Sequence, residues 1–408
     1  MNRYISSIKV KEIFHLKDFS IEMDDNFPHL IITGKNGSGK TVLLNAIAEF
    51  LRNIETDERL QFLQYHTLLA ASRAVMPSLS SPIDRHQQEI GIKHSEERIK
   101  RVYGKVNLEF TDIEDVSRLY HNGKFIFAYY GALREPKMQE PENPTKPNIG
   151  KKPTIGQSST DQFLNFLSDL KIQEALAMNE NQKEDADRIK EWFVSFERLL
   201  GELYEDEKLR LKFNYKDYSF RIETEGKSFK FTKLSDGFAA AIDIIADLIL
   251  KMQQGETVTR AYEKQGIVLI DEIETHLHLS LQKNILRILT KVFPNIQFIV
   301  TTHSPFILSS LDNATAFDLE HREPITDLTE YSYESLAEGY FGVKTESSYI
   351  GARLAELKEL LSKDELMANE QRKKELLIEE FDKIPEMISP LYIGEYRQLM
   401  IKEKAKRS

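Results

Sequence analysis

Cysteine is absent from the 408 residues, which excludes disulfides and Cys-ligated zinc or iron–sulfur centres and fits a reducing compartment. Long apolar runs are missing too. The most apolar stretch, Phe238 to Leu250, carries Asp243 and Asp247 and is too short to span a bilayer. The opening MNRYISSIKVKEIF has no apolar h-region and does not read as a signal peptide. A positive excess is also lacking. Lys and Arg number 55 against 65 Asp and Glu, a net charge of −10. That argues against coating DNA through bulk attraction, and leaves nucleic acid possible only through a local basic patch. No internal repeat is visible. The expectation is a soluble cytoplasmic protein with no membrane span. Hydrophobic residues make up 41% of the chain, enough for one large core or a core with a smaller satellite.

Periodicity divides the chain. Residues 4–33 read as strands, ending in the buried run Leu30-Ile31-Ile32-Thr33. Val42, Leu43, Leu44, Ile47 and Phe50 then recur at helical spacing. Residues 66–100 are polar and take no clear assignment. Val106 to Phe110 and Phe125 to Tyr130 read as strands. Between Arg134 and Ser159, Pro136, Pro141, Pro144, Pro147 and Pro153 predict a mobile loop that buries little. Two apolar stripes follow, Phe163, Phe166, Leu167, Leu170 and Ile189, Phe193, Phe196, Leu200; they predict a short helical hairpin. Leu209 to Phe213 and Tyr218 to Ile222 return to strand alternation. The last segment is helical and charged, with Ile350, Leu354, Leu357 and Leu361 on one face.

Gly34-Lys35-Asn36-Gly37-Ser38-Gly39-Lys40-Thr41 matches G-x-x-x-x-G-K-[ST] in full, with a strand before it and a helix after it. Glycines let successive backbone N–H groups curl around an anion, and the helix N-terminus adds free donors and a positive dipole end. Gly34, Asn36, Gly37, Ser38, Gly39, Lys40 and Thr41 are therefore candidate ATP-binding residues. Lys40 bridges β- and γ-phosphates and Thr41 supplies a Mg²⁺ ligand. Against this stands only a chance glycine-rich turn.

Ile267-Val268-Leu269-Ile270 is a second buried-strand run, closed by Asp271-Glu272. Ligands gather at the carboxyl ends of parallel strands. Asp271 is thus the expected Mg²⁺ partner, and Glu272 the base or orienting group for the attacking water. Phe298-Ile299-Val300-Thr301-Thr302 is a third such strand, and His303 after it can bond the γ-phosphate or that water. The catalytic candidates are Glu272, His303 and Lys40. Leu234-Ser235-Asp236-Gly237-Phe238 heads a long apolar helix; Ser235 is either an ordinary N-cap or half of a second anion site.

The order of P-loop, LSDGF, aliphatic-DE and strand-histidine resembles the ABC ATPase superfamily, whose signature is usually LSGGQ; Ser235 and Gly237 match it. GIVLIDEIETHLH and TTHSP resemble the corresponding runs of soluble ABC ATPases related to OLD, RecF and SMC proteins, with Leu279 where many have proline. The resemblance covers residues 1–50 and 230–312 well. Bacterial anti-phage ATPases of Septu, PARIS and retron systems belong to that group. It implies an α/β, ABC-type P-loop NTPase core with a mixed or parallel sheet, an inserted helical hairpin and a helical C-terminal extension. The expected divisions are 1–134 and 213–312 for the core, 135–212 for the loop and helical insert, and 313–408 for the extension. It further implies ATP and Mg²⁺ as cofactors, and a homodimer or higher homo-oligomer in which Ser235 and Gly237 meet the ATP of the other protomer. Residues Glu274 to His278 would form a D-loop at that interface, and Arg134 resembles an arginine of these ATPases with a candidate catalytic role. A Q-loop glutamine is not identifiable.

OLD nucleases carry a Toprim domain with a D-x-D pair, and none follows Leu311. The expected output is therefore a partner effector, a nuclease or toxin, regulated by slow ATP turnover. The alternative is a RecF/SMC-like ATPase acting on DNA in repair, which the acidic balance and short helical insert disfavour. A transporter subunit is disfavoured by LSDGF and the missing Q-loop.

Overall fold

The computed structural model describes residues 4–24, 28–103, 105–134, 137–141, 143, 145–147, 154–253, 262–325, 348–363, 366–385 and 389–407. The chain opens with the antiparallel strands β1 (Ile5–Ile13) and β2 (Leu16–Glu22). The fully buried strand β3 (His29–Thr33) leads to helix α1 (Lys40–Thr56). In α1, Leu43, Leu44, Ile47, Phe50, Leu51 and Ile54 recur every three or four residues and bury one face in the core.

Residues 66–100, which resisted assignment, lie in a second helical hairpin, α2 (Gln61–Val75) and α3 (Pro82–Tyr103). Its helices bury few residues and expose Leu68, Val75, Ile83 and Ile90. Without a continuous buried stripe there was no 3.6-residue signal to read. Strand β4 (Val106–Phe110) completes the sheet β2-β1-β4. Helix α4 (Ile113–His121), N-capped by the Asp112 side chain, leads to strand β5 (Phe125–Tyr130).

Of the proline-rich loop, Pro136, Pro144 and Pro153 lie outside the described residues. Its far end is pinned rather than loose. Ile155 is 1% exposed, and its carbonyl takes the Tyr129 N–H at 2.7 Å. The expected hairpin follows as α5 (Phe163–Asn179) and α6 (Lys183–Tyr204). The antiparallel sheet β6 (Arg210–Asn214), β7 (Ser219–Thr224) and β8 (Lys227–Lys230) comes next. Helix α7 (Asp236–Met252) is buried on nearly every side, as an almost uniformly apolar helix must be.

Strand β9 (Gln265–Ile270), helix α8 (Leu279–Val292), strand β10 (Ile296–Thr301), the single turn α9 (Pro305–Leu308) and strands β11 (Ala314–Asp318) and β12 (Glu323–Ile325) complete the core. The central sheet runs β12-β11-β3-β10-β9-β5, parallel except for β12. The core thus passes residue 312, where the helical extension was expected to begin. β11 bonds along β3, so its residues cannot be separated from the P-loop strand. The chain divides instead into compact units 1–331 and 332–408. The second unit packs α10 (Ser348–Ser362), α11 (Ala368–Asp382) and α12 (Pro390–Arg407) around Leu354, Leu357, Leu377, Phe381, Ile393 and Tyr396. Among the described residues no helix is long and apolar enough to cross a membrane.

Candidate functional site

Strand register decides what meets at the sheet's carboxyl edge. Thr33 faces Asp318, Ile32 faces Thr301, Val300 faces Ile270, and Ile270 faces Tyr130. The residues that leave these strands therefore emerge side by side: Gly34, His303, Asp271-Glu272 and Gly131. Sequences far apart in the chain form one rim, as open parallel sheets allow.

The phosphate loop adopts the backbone its glycines permit. Gly34, Gly37 and Gly39 have φ of 137°, 84° and 98°, all in the region that penalises a Cβ. A Cβ on Gly34 would also lie 2.9 Å from Ser38 Oγ, and that hydroxyl is buried without a hydrogen-bond partner among the described residues. Lys40 is 5% exposed and donates to the carbonyls of Gly34 and Lys35 at 2.8 and 3.1 Å. Burial pulls its ammonium down to about 8, opposed by the carboxylates of Glu272, Glu274, Asp271 and Asp318.

A cavity of about 350 Å³ opens over this loop. Phe14, His15, Asn36, Gly37, Gly39, Lys40, Thr41, Val42, Glu272 and His303 line it. Three of the sequence-derived candidates from distant motifs, Lys40, Glu272 and His303, thus share one space. Burial and the nearby Lys40 charge lower the His303 pKa, which favours the neutral ring. Thr41 lines the cavity and offers a hydroxyl, while Asp271, one residue before the lining Glu272, is 2% exposed and is not itself among the lining residues. Hydroxyl and carboxylate are the hard oxygen donors that Mg²⁺ prefers.

The acidic pair and the histidine are held by neighbours to which sequence reasoning assigned no such role. The Thr301 hydroxyl donates to Asp271 Oδ1 at 2.6 Å and accepts the Glu272 N–H at 2.7 Å. Glu274 accepts the Thr302 hydroxyl at 2.7 Å and the His303 N–H at 2.5 Å, which fixes the histidine's backbone. Burial raises the Glu274 pKa, and those same hydrogen bonds oppose the rise. Glu272 itself sits at φ 44°, a left-handed conformation that costs a non-glycine residue.

Arg134 sits behind this turn instead of among the residues lining the cavity. Its guanidinium, in a side chain 7% exposed, donates to the carbonyls of Asp271 and Glu272 at 3.0 Å each. Longer contacts reach Gly131, Ile273 and Thr275 at 3.3, 3.3 and 3.4 Å. Every hydrogen bond from its two terminal nitrogens goes to a backbone oxygen, while Nε is buried without a partner among the described residues. The geometry departs from the expected catalytic role and makes Arg134 a holder of the acidic turn. The similarity that drew attention to it carried no information about which way the fork points.

Ser235 and Gly237 lie outside the cavity. Ser235 is exposed at the N-cap of α7 and makes no capping bond through its side chain. Gly237 is buried against the Glu274 to His278 segment; a Cβ there would come within 2.6 Å of the His276 carbonyl. The serine therefore faces outward, beside the segment expected to be a D-loop.

Phe14 and His15 were missed by sequence reasoning. They occupy the tight turn between β1 and β2, with Phe14 at φ 53° and 80% exposed. His15 Nε2 lies 2.9 Å from the Ser38 carbonyl, which ties the turn to the phosphate loop. The available signal was an aromatic pair breaking two alternating strands.

The sequence matches the family described as "AAA domain, putative AbiEii toxin, Type IV TA system" over residues 30–309. The Septu protein PtuA of Bacillus mycoides is 26% identical over 335 residues, 80% of this chain and 42% of that protein. The retron Ec83 probable ATPase of Escherichia coli is 38% identical over 101 residues, 24% of this chain and 19% of that protein. The alignments thus span less than half the length of these relatives. Among solved structures, an SMC head bound to the C-winged helix domain of ScpA covers 77% of this chain and 94% of its own, at 14% identity and TM-score 0.39.

Proposed function

The chain belongs to this AAA-domain family, and from that premise we propose that it binds ATP in the cavity over Gly34 to Thr41 and hydrolyses it. The observation that carries the reading is the meeting of Lys40, Thr41, Glu272 and His303 around one space. The backbone N–H groups of the loop and the Lys40 ammonium receive the β- and γ-phosphates. Thr41 and Asp271 would hold Mg²⁺, which when bound would neutralise part of the polyphosphate charge. Glu272 orients and deprotonates the water, and neutral His303 donates to the γ-phosphate. Phe14 offers an exposed ring in the lining of the same cavity, where a base can stack.

Two copies would complete the site. Ser235 is exposed at the free N-terminus of α7, and one chain presents it away from its own cavity. In this reading two protomers enclose two ATP molecules, each sealed by the other's Ser235. Gly237, buried against its own chain's His276 carbonyl, packs the helix start rather than meeting the partner's nucleotide. By extension from relatives named for Septu and retron systems, the ATP-driven dimer holds or releases a protein effector, a nuclease or toxin, in anti-phage defence.

The test is Glu272→Gln. This variant is expected to keep ATP, lose hydrolysis, and sediment as a dimer with ATP and a monomer without it. A dimer fraction indifferent to ATP defeats the sandwich; wild-type protein that binds no ATP defeats the whole reading.

A further inference from the structure

The turn after β11 touches both the strand that enters the phosphate loop and the turn that carries Phe14 and His15. Asp318 is 1% exposed, and its carboxylate takes the N–H of Glu320 at 2.8 Å, that of His321 at 3.4 Å and the His321 ring nitrogen at 2.7 Å. These bonds fold the turn upon itself. The Leu319 N–H donates to the Thr33 carbonyl at 2.9 Å, one residue before the phosphate loop, and Glu320 pairs with Lys35 at 2.9 Å. Arg322, at φ 60°, reaches the opposite way. It donates to the Lys17 carbonyl at 3.0 Å and the His15 carbonyl at 3.2 Å. Its guanidinium lies 5.6 Å from the Phe19 ring centre, and Phe19 stacks on Phe317 at 6.0 Å. With His15 on the Ser38 carbonyl, the contacts link the phosphate loop, the turn after β11 and the turn between β1 and β2.

We propose that the turn from Asp318 to Arg322 sets the position of Phe14 relative to the phosphate loop, with Arg322 as a positioning residue for nucleobase binding. This rests on the reading that a nucleoside triphosphate occupies the cavity. An aromatic residue that is 80% exposed at φ 53° has little packing of its own to hold its place. Arg322 supplies the restraint by gripping two carbonyls just beyond it, while Glu320 anchors the same turn to the phosphate loop. The distance from triphosphate to base is thereby fixed by one short segment. Arg322 itself touches no nucleotide.

The experiment compares ATP with inorganic tripolyphosphate by titration calorimetry. Phe14→Ala and Arg322→Ala are each expected to weaken ATP at least about fivefold, the low end for loss of an aromatic stack under a base. Tripolyphosphate affinity is expected to stay unchanged in both. The double variant should bind ATP no more weakly than Phe14→Ala alone, because both act on one contact. Arg322→Lys, whose ammonium serves one carbonyl well, should fall between wild type and Arg322→Ala. The proposal is overturned if Arg322→Ala weakens both ligands alike, leaves ATP untouched, or adds fully to Phe14→Ala. Wild-type protein that binds neither ligand would sink the nucleotide reading itself, an outcome distinct from these.

Discussion

Arg134 offers the sharpest prediction, because its work is visible bond by bond. Replacing it with alanine removes five contacts to carbonyls, of which only that of Glu272 keeps another backbone partner among the described residues, the Thr275 N–H at 2.9 Å. Only the two contacts at 3.0 Å, to Asp271 and Glu272, have good hydrogen-bond length. Hydrogen bonds to a charged group contribute about 1.5–3 kcal/mol each, so the gross loss is about 3–6 kcal/mol. Part is recovered, since a buried guanidinium no longer has to be desolvated. A net destabilisation of about 2–4 kcal/mol is expected by urea denaturation. The effect on turnover should be larger than the effect on binding. Glu272 is held at φ 44°, and without the fork its backbone can relax. A displacement on the order of 1 Å costs about 100-fold in rate. The phosphate loop makes no bond to Arg134, so ATP affinity should survive. Arg134→Lys should resemble the alanine variant, because one ammonium cannot span carbonyls arranged for a planar fork. Single-turnover hydrolysis measured beside equilibrium ATP binding decides the matter. Unchanged hydrolysis, or affinity lost in step with rate, would refute the positioning role.

Other substitutions probe the same rim. Burial lowers Lys40 to about 8 from the ordinary 10.5. Between those values the unfolded chain keeps a proton that the folded one has released, so this group's contribution makes the free protein more stable as pH rises through the window. Lys40→Met should flatten that slope in melting temperature, and should abolish ATP binding. In wild type, affinity for tripolyphosphate should fall as pH passes about 8 and the ammonium is lost; affinity constant from pH 7 to pH 9 would contradict the assignment. Thr301→Val keeps the shape but strands the Asp271 carboxylate and the Glu272 N–H, for a loss of about 2–4 kcal/mol in urea unfolding. Gly237→Ala places a Cβ 2.6 Å from the His276 carbonyl, an unyielding backbone atom. A cost of about 1–3 kcal/mol is expected from that overpacking, and a stability equal to wild type would mean that α7 does not pack there.

The sequence made the phosphate loop legible because glycine spacing, a preceding aliphatic strand and a following amphipathic helix all state the same local geometry. Asp271-Glu272 and His303 were legible for a related reason: a buried aliphatic run announces a parallel strand, and the residue after it must stand at the edge. The α5 and α6 hairpin was readable because both helices bury a stripe. The α2 and α3 hairpin was not, because it buries so little that its residues follow no period.

Only the tertiary structure decided which of these edges adjoin, and which way the side chains between them turn. The inclusion of β11 and β12 in the core, the direction of Arg134 and the approach of His15 to Ser38 each depend on strand order and register. Those are set by contacts between residues up to about three hundred positions apart, as between Arg322 and His15. Local spacing encodes what a segment becomes and what chemistry it can carry. Which distant carbonyl a buried guanidinium must satisfy is fixed only once the segments have packed and every polar group needs a partner.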